Sequence, residues 1–241
     1  KRGRAGLKTL LNTALKSTNQ LARLHGIWGT GQIGRKTSNA VAPLISLLQD
    51  KDAEVRAQTA VVIGDAHYKK AAANLVKLLK DPSPRVQSLA AIALGKLNEP
   101  RAIKALLVLA EQNNDRDPYL RHSIVMGLQG SAKGKPSLLT KVSKHQSAAS
   151  RMVALLALRR LNHPGIAVYL KDKDMKIVTE AARAIHDDFS IPQALPALAA
   201  ALKRKDLSGE ALLRRAINAN LRVGKAENAL ILREFITSAH A

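Results

Sequence analysis

The chain has 241 residues, with 39 Lys and Arg against 18 Asp and Glu, no Cys, one Trp, three Tyr and two Phe. The lack of Cys excludes disulfide bonds, zinc–thiolate sites, iron–sulfur clusters and covalently attached haem within this sequence. No apolar run approaches the roughly 18 residues of a membrane-spanning helix, while the net charge of +21 predicts attraction for polyanions of any kind. The first residue is Lys1 and no signal peptide precedes the repeats, so we expect a fragment or a processed form of a longer protein.

One pattern recurs along the chain: an acidic or small polar residue, a short gap, Val-Arg or a variant, and an Ala-rich apolar stretch. Its copies are spaced roughly 30 residues apart, which is typical of a repeat protein. The clearest copies are DAEVRAQTAVVIG (52–64), SPRVQSLAAIALG (83–95) and DPYLRHSIVMGLQ (117–129), and weaker copies begin at 19, 147, 174 and 209.

Each repeat has room for two helices. In the third repeat, residues 69–80 place their leucines on one face and predict the first helix. Ser83 is a candidate N-cap and Pro84 a candidate first-turn residue for the second helix, with Gly95 as its expected stop. No segment of useful length alternates like a β-strand.

A lone helix pair cannot cover its own apolar face, whereas stacked pairs share a continuous core. The unit resembles the HEAT repeat in its short, phycobilisome-lyase-like form, with Val-Arg or Leu-Arg opening the second helix. The resemblance implies an all-α, right-handed α-solenoid of about seven HEAT-like helix pairs, with residues 1–241 as a single HEAT-repeat domain. Small residues should let its helices approach closely: Ala60, Ala90, Ala91, Ala93, Ala181 and Ala182.

Three stretches are more specific than a generic repeat: LARLHGIWGTGQIGR (21–35), residues 177–202 and residues 212–229. They resemble the HEAT segment of large secreted dehydrogenase-like proteins of planctomycete and verrucomicrobial bacteria. That family joins a β-propeller, a HEAT array and a cytochrome c domain with a Cys-x-x-Cys-His motif. This chain has neither Cys nor a strand signature, so the resemblance implies the middle module alone. It also implies a periplasmic or secreted protein; a cytoplasmic one is the alternative.

Arginine recurs at one position of successive repeats, where side chains should form a ladder. In the structural interpretation each Arg binds an acidic or carbonyl group of a neighbouring repeat, with Asp52, Asp117 and Asp174 as candidate partners. In the functional interpretation the series binds an anion or an acidic partner. The series consists of Arg23, Arg56, Arg121, Arg151 and Arg214.

The sequence predicts no catalytic, cofactor-binding or metal-binding residue. It lacks the His-Glu dipeptides of HEAT-type deoxyhypusine hydroxylases, and it has no nucleophile with a neighbouring base. The triplet His186-Asp187-Asp188 is better explained as a helix end than as a metal site. Trp28 is interpreted as a packing residue at the first turn of the array.

We therefore expect a non-catalytic scaffold or interaction module that binds a protein partner or neighbouring domains of the same polypeptide. The alternative is a nucleic-acid-binding HEAT protein that uses its basic surface without sequence specificity, since few aromatic residues are available to stack on bases. An enzyme of the HEAT-lyase or hydroxylase type is opposed by the missing motifs.

Overall fold

The computed structural model describes residues 2–239, and the side chains of residues 5–237. This part of the chain consists of helices and connecting turns and contains no strand. It forms two compact units, which are divided between Gly134 and Lys135.

In the first unit the chain runs through four helix pairs. They are α1 (Arg2–Lys16) with α2 (Gln20–Gly34), the 3₁₀ helix Ser38–Gln49 with α3 (Ala53–Asp65), α4 (Ala72–Leu78) with α5 (Pro84–Lys96), and α6 (Ile103–Asn113) with α7 (Pro118–Ala132). Short 3₁₀ turns, Lys69–Ala71 and Pro100–Ala102, precede α4 and α6. Pro43 lies inside Ser38–Gln49 and has no N–H to donate, which disfavours a regular α-helix there.

The second unit contains three further pairs and one additional helix. They are α8 (Ser137–Thr140), continued by the 3₁₀ helix Lys141–Lys144, with α9 (Ala148–Arg160); the 3₁₀ helix Pro164–Lys171 with α10 (Met175–His186); and α11 (Leu195–Ala201), preceded by Pro192–Ala194, with α12 (Glu210–Val223). Helix α13 (Ala226–Ala239) follows and contacts α12. The predicted all-α class and the number of helix pairs are confirmed for residues 2–239.

The glycines of the second helices allow close backbone approach. A Cβ atom at Gly95 would lie 2.6 Å from the carbonyl oxygen of Met126, and one at Gly130 would lie 2.1 Å from the carbonyl oxygen of Gly95. Helices α5 and α7 therefore touch through their backbones at this end. The expectation that Gly95 stops α5 is wrong: the helix continues to Lys96, and Asn98 makes the turn with a φ of 52°.

The prediction that the Ser83 side chain caps α5 is also wrong. Ser83 occupies the N-cap position of α5, but its hydroxyl makes no capping hydrogen bond. Instead its backbone N–H donates to Oδ1 of Asp81 at 2.9 Å. The turn before α5 is therefore organised by the aspartate two residues earlier.

Replacing Ala91 with Leu should lower the free energy of unfolding by about 1–3 kcal/mol, because the added methylenes overpack a filled layer. Ala91 is fully buried in α5, and its carbonyl oxygen lies 2.7 Å from where a Cβ of Gly127 would be. Urea denaturation measures the change. The matched control is Ala73→Leu on the exposed face of α4; equal melting of both variants would contradict the packing described here.

Candidate functional site

Arg56 joins two consecutive repeats. Its Nε and Nη2 atoms donate to the carboxylate of Asp81 in the following repeat at 2.7 and 2.8 Å. Its Nη1 atom donates to the backbone carbonyl of Asp50, at the end of the preceding helix, at 2.7 Å. The planar guanidinium thus makes a bidentate pair forward and a carbonyl contact backward, a geometry that Lys could not reproduce.

Arg151 repeats this arrangement in the second unit and is more deeply buried. Its Nε and Nη2 atoms donate to Asp172 at 2.7 and 3.1 Å, and Nη1 donates to the carbonyls of His145 and Gln146, both at 2.8 Å. The side chains of Arg151 and Asp172 are 3% and 2% exposed. The pair is therefore almost completely buried, and its guanidinium binds one carboxylate and two backbone carbonyl groups.

Arg23 makes the corresponding pair at the start of the chain. Its guanidinium binds both oxygens of Asp50, and its Nε atom donates to the carbonyl of Ala14 at 3.1 Å. Asp50 therefore serves two repeats, since its side chain accepts from Arg23 and its carbonyl accepts from Arg56. We call this set of contacts, made by Arg23, Arg56 and Arg151 with Asp50, Asp81 and Asp172, the arginine ladder.

The acidic partners differ from those suggested by the sequence. Asp52, Asp117 and Asp174 do not bind the arginine ladder; each is the N-cap of the following second helix and accepts from its backbone N–H groups. The ladder partners Asp50 and Asp172 lie two residues before such a cap, and their Oδ1 atoms accept from its N–H at 3.0 and 2.9 Å. The corresponding sequence signal is Asp-x-Asp or Asp-x-Ser. Its first residue binds the arginine of the preceding repeat, and its last residue is the N-cap of the second helix.

The remaining two arginines of the predicted series lie outside the ladder. Arg121 donates to Asp115 at 2.7 Å within its own repeat, and both side chains are partly solvated. Arg214 pairs with Glu210 one turn earlier on α12, and its side chain is 74% exposed. The structure thus brings Arg23 and Arg56 into one row in the first unit, places Arg151 in an equivalent pair in the second, and leaves Arg121 and Arg214 at the surface.

The ladder is interrupted in the first unit at Gln87, which occupies the arginine position of α5. Its Nε2 atom donates backward to the carbonyl of Asp81 at 2.7 Å, as an arginine would. In the following repeat Asp115, two residues before the cap, accepts from Arg121 instead, and the side-chain amide of Asn113 bonds to the backbone of Asp117. A cavity of about 410 Å³ lies at this junction, lined by Gln87, Asn113, Arg116 and Asp117 among others. We call this junction the neutral rung.

A second set of contacts joins the surfaces of the second helices. The indole Nε1 of Trp28 donates to Gln58 at 2.8 Å, Gln58 donates to Glu54 at 2.7 Å, and Arg85 binds the same carboxylate at 2.7 Å. The hydrogen bond from Arg85 lowers the pKa of Glu54, with burial opposing it and Gln58 assisting. Trp28, interpreted above as a packing residue, is 38% exposed and packs edge-on against the ring of His25.

The triplet after α10 forms an exposed polar cluster. Arg215 binds both oxygens of Asp187 at 2.8 and 2.7 Å, and this lowers the pKa of that carboxyl to about 2, against burial and with help from His186. Phe189 follows with a φ of 58°, and Arg222 lies 3.9 Å from its ring centroid. Among the described residues, no three or more His, Asp or Glu side chains are arranged to hold a metal ion.

Acid should destabilise the protein as the pH falls through the range of these carboxylates. Unfolded Asp and Glu titrate near 3.9 and 4.3. Because the pKa values of Glu54 and Asp187 are lowered by folding, their contribution is complete above about pH 5 and is lost progressively toward pH 2. Melting temperatures at constant ionic strength measure this effect. Asp187→Asn should melt lower than the parent at pH 7 and approach it at pH 2; a constant difference would contradict the assignment.

The net charge is carried largely by lysines without acidic partners. No ion pair between described residues involves Lys69, Lys70, Lys77 or Lys80, whereas Lys96 binds Asp65 together with Arg35. The basic excess thus lies at the surface, while arginines and Lys96 make the charged contacts between repeats. No helix within residues 2–239 is long and apolar enough to span a membrane.

Comparison with known proteins concerns the fold. A family model for HEAT repeats matches residues 41–129, and no curated protein matches the chain. The structure is similar to the complex of CpcE and CpcF of phycocyanin lyase from Nostoc sp., with 20% identity, a TM-score of 0.52, and coverage of 96% of this chain and 94% of that chain. A HEAT-like repeats protein from the archaeon Thermococcus onnurineus covers 95% of both chains at 14% identity and a TM-score of 0.49. Human deoxyhypusine hydroxylase matches at 17% identity and a TM-score of 0.40, over 95% of this chain and 88% of that one.

Proposed function

The chain has the fold of HEAT-like repeat proteins, and from this premise we propose that it is a non-catalytic scaffold for a protein partner or for neighbouring domains. The supporting observation is that buried and exposed charged side chains have different partners. The buried arginine and aspartate side chains bind one another between repeats, as in Arg151 with Asp172. The surface lysines without partners can then attract an acidic protein.

We propose further that the parent protein is dehydrogenase-like and carries a cytochrome c domain. The support is the resemblance of residues 21–35, 177–202 and 212–229 to the HEAT segment of that family. These stretches coincide with α2 and with the end of the chain from α10 to α13. In this proposal the redox chemistry belongs to the flanking domains, and the compartment is the periplasm or the exterior.

The complete gene product tests the parentage. We expect a β-propeller sequence before this segment and a Cys-x-x-Cys-His haem motif after it. The purified 241-residue chain should show no haem absorption and no dye-linked dehydrogenase activity. Activity in the chain alone would overturn the scaffold proposal, whereas a gene product without either flanking domain would overturn only the parentage.

A nucleic-acid-binding role is the second candidate, and the surface lysines favour it through charge alone. The two candidates differ in what they require besides charge. A protein partner needs an apolar anchor site among the cations, whereas a duplex needs phosphate contacts spread along a groove.

A further inference from the structure

An apolar groove lies between the first helices α4 and α6 in the first unit. It has a volume of about 330 Å³, and its floor consists of Val76, Leu79, Ala105, Val108 and Leu109. Leu79 and Leu109 belong to the buried core, whereas Val108 is 40% exposed. The volume is at the lower end of the range for ligand pockets, and a mostly apolar lining is typical of such sites.

Three cations surround the groove. Lys80, Arg101 and Lys104 line it, and no acidic side chain does. Arg101 pairs with Glu99 but keeps its side chain 89% exposed. Lys80 and Lys104 form no ion pair with any residue that the structure describes. The groove therefore offers an apolar floor and uncompensated positive charge at its edge.

We propose that this groove binds an acidic amphipathic helix of a protein partner. In this mode of recognition a helix inserts apolar side chains spaced at i, i+3 or i+4, and i+7 into a groove between helices. Asp or Glu beside those anchors would meet Lys80 and Lys104, which adds charge complementarity at the rim. This inference rests on the proposed scaffold function and names its binding site.

Charge and chemistry favour this occupant over the other possibilities. A second copy of the chain would bring another net charge of +21 and would be repelled. A nucleic acid duplex presents phosphates and would leave the floor around Val108 uncovered. An acidic amphipathic helix would cover the apolar floor with its apolar side chains and pair its carboxylates with Lys80 and Lys104.

The test uses a designed fluorescent peptide with Leu on one helical face and Glu on the other. A scrambled peptide of the same composition keeps the charge and loses the apolar face. We expect the amphipathic peptide to bind at least about tenfold more tightly than the scrambled one, because only it can bury anchors. Fluorescence polarisation measures both at fixed ionic strength. Equal affinities would contradict the groove and indicate attraction by charge alone.

Two groove variants locate the binding site. Val108→Glu places a negative charge on the floor and should weaken the peptide about tenfold or more. Its control is Val168→Glu in the second unit, where the parent side chain is 39% exposed. Lys80→Glu with Lys104→Glu should weaken binding too, and Lys173→Glu with Lys176→Glu is its charge-matched control. Circular dichroism and melting verify that each variant is folded.

The outcomes separate this inference from the proposed function. If the peptide binds and both groove variants bind as tightly as their controls, the groove assignment is wrong and the scaffold proposal stands. If neither peptide binds at low salt, attraction of acidic partners fails as a whole. If a duplex displaces the peptide completely, and the same groove substitutions weaken the binding of the duplex, the nucleic-acid alternative replaces the protein partner.

Discussion

Replacing Arg151 with Met should lower the free energy of unfolding by about 3–5 kcal/mol, because it leaves the buried carboxylate of Asp172 without its bidentate partner. Both side chains of the native pair are almost completely buried, at 3% and 2% exposure. The substitution also removes the donors to the carbonyls of His145 and Gln146. Chemical denaturation measures the change, which is among the largest expected for a single substitution.

Two further variants test the reason for this loss. Adding Asp172→Asn to Arg151→Met should recover part of the stability, since the amide removes the buried charge and can still accept from the N–H of Asp174. Arg214→Ala breaks an ion pair whose two side chains are 74% and 76% exposed. It should change stability by no more than about 1 kcal/mol. Similar losses at Arg151 and Arg214 would contradict the ladder as a structural device.

Affinity for duplex DNA should fall on the order of 10³-fold between about 50 and 200 mM salt, if about six phosphates are contacted. The 39 Lys and Arg residues supply this attraction without reading the sequence. Stacking of aromatic side chains on the bases should add little to this affinity. Trp28 is tied to Gln58 by its indole N–H, and one face of Phe189 is covered by Arg222. Of the six aromatic side chains, Tyr119 is the most exposed among those described.

A titration of two unrelated duplexes at two salt concentrations measures this behaviour. We expect equal affinities for both duplexes and the same steep salt dependence. Tight binding that persists at 200 mM salt, or a strong preference for one duplex, would overturn the scaffold proposal. Either result would place the nucleic-acid alternative first.

The repeats and the starts of their second helices were predictable because turn residues and hydrophobic periodicity are local properties. Proline at the first turn, an aspartate cap and Ala-rich faces all act within a few residues. The HEAT-like fold followed from their recurrence. The partner of Arg56 was not predictable in this way, since it lies in the next repeat, 25 residues away. Where a turn holds two aspartates, as at Asp50 and Asp52, only the three-dimensional arrangement distinguishes the N-cap from the ladder partner.

The groove beside Val108 could not be predicted from the sequence either. A valine on the outer face of α6 has the same periodicity as a core residue, and its exposure depends on how far α4 and α6 are apart. The role of Gly95 was missed for a related reason. A glycine near a helix end normally indicates a stop, but here it allows the backbone of α7 to approach.

The neutral rung at Gln87 affects the local unfolding of the first unit. In a repeat protein, local opening proceeds through the weakest interface between neighbours. Asp50 and Asp81 each bind an arginine of the preceding repeat, so the repeats before Gln87 are joined by charge-assisted hydrogen bonds. Beyond Gln87 the forward bond is missing, whereas α5 and α7 still approach closely at Gly95 and Gly130. We therefore expect the amide hydrogens of α6 and α7 to exchange together, ahead of those of α3 and α5. Equal protection of all four helices would show that the close backbone contact at Gly95 and Gly130 outweighs the missing hydrogen bond.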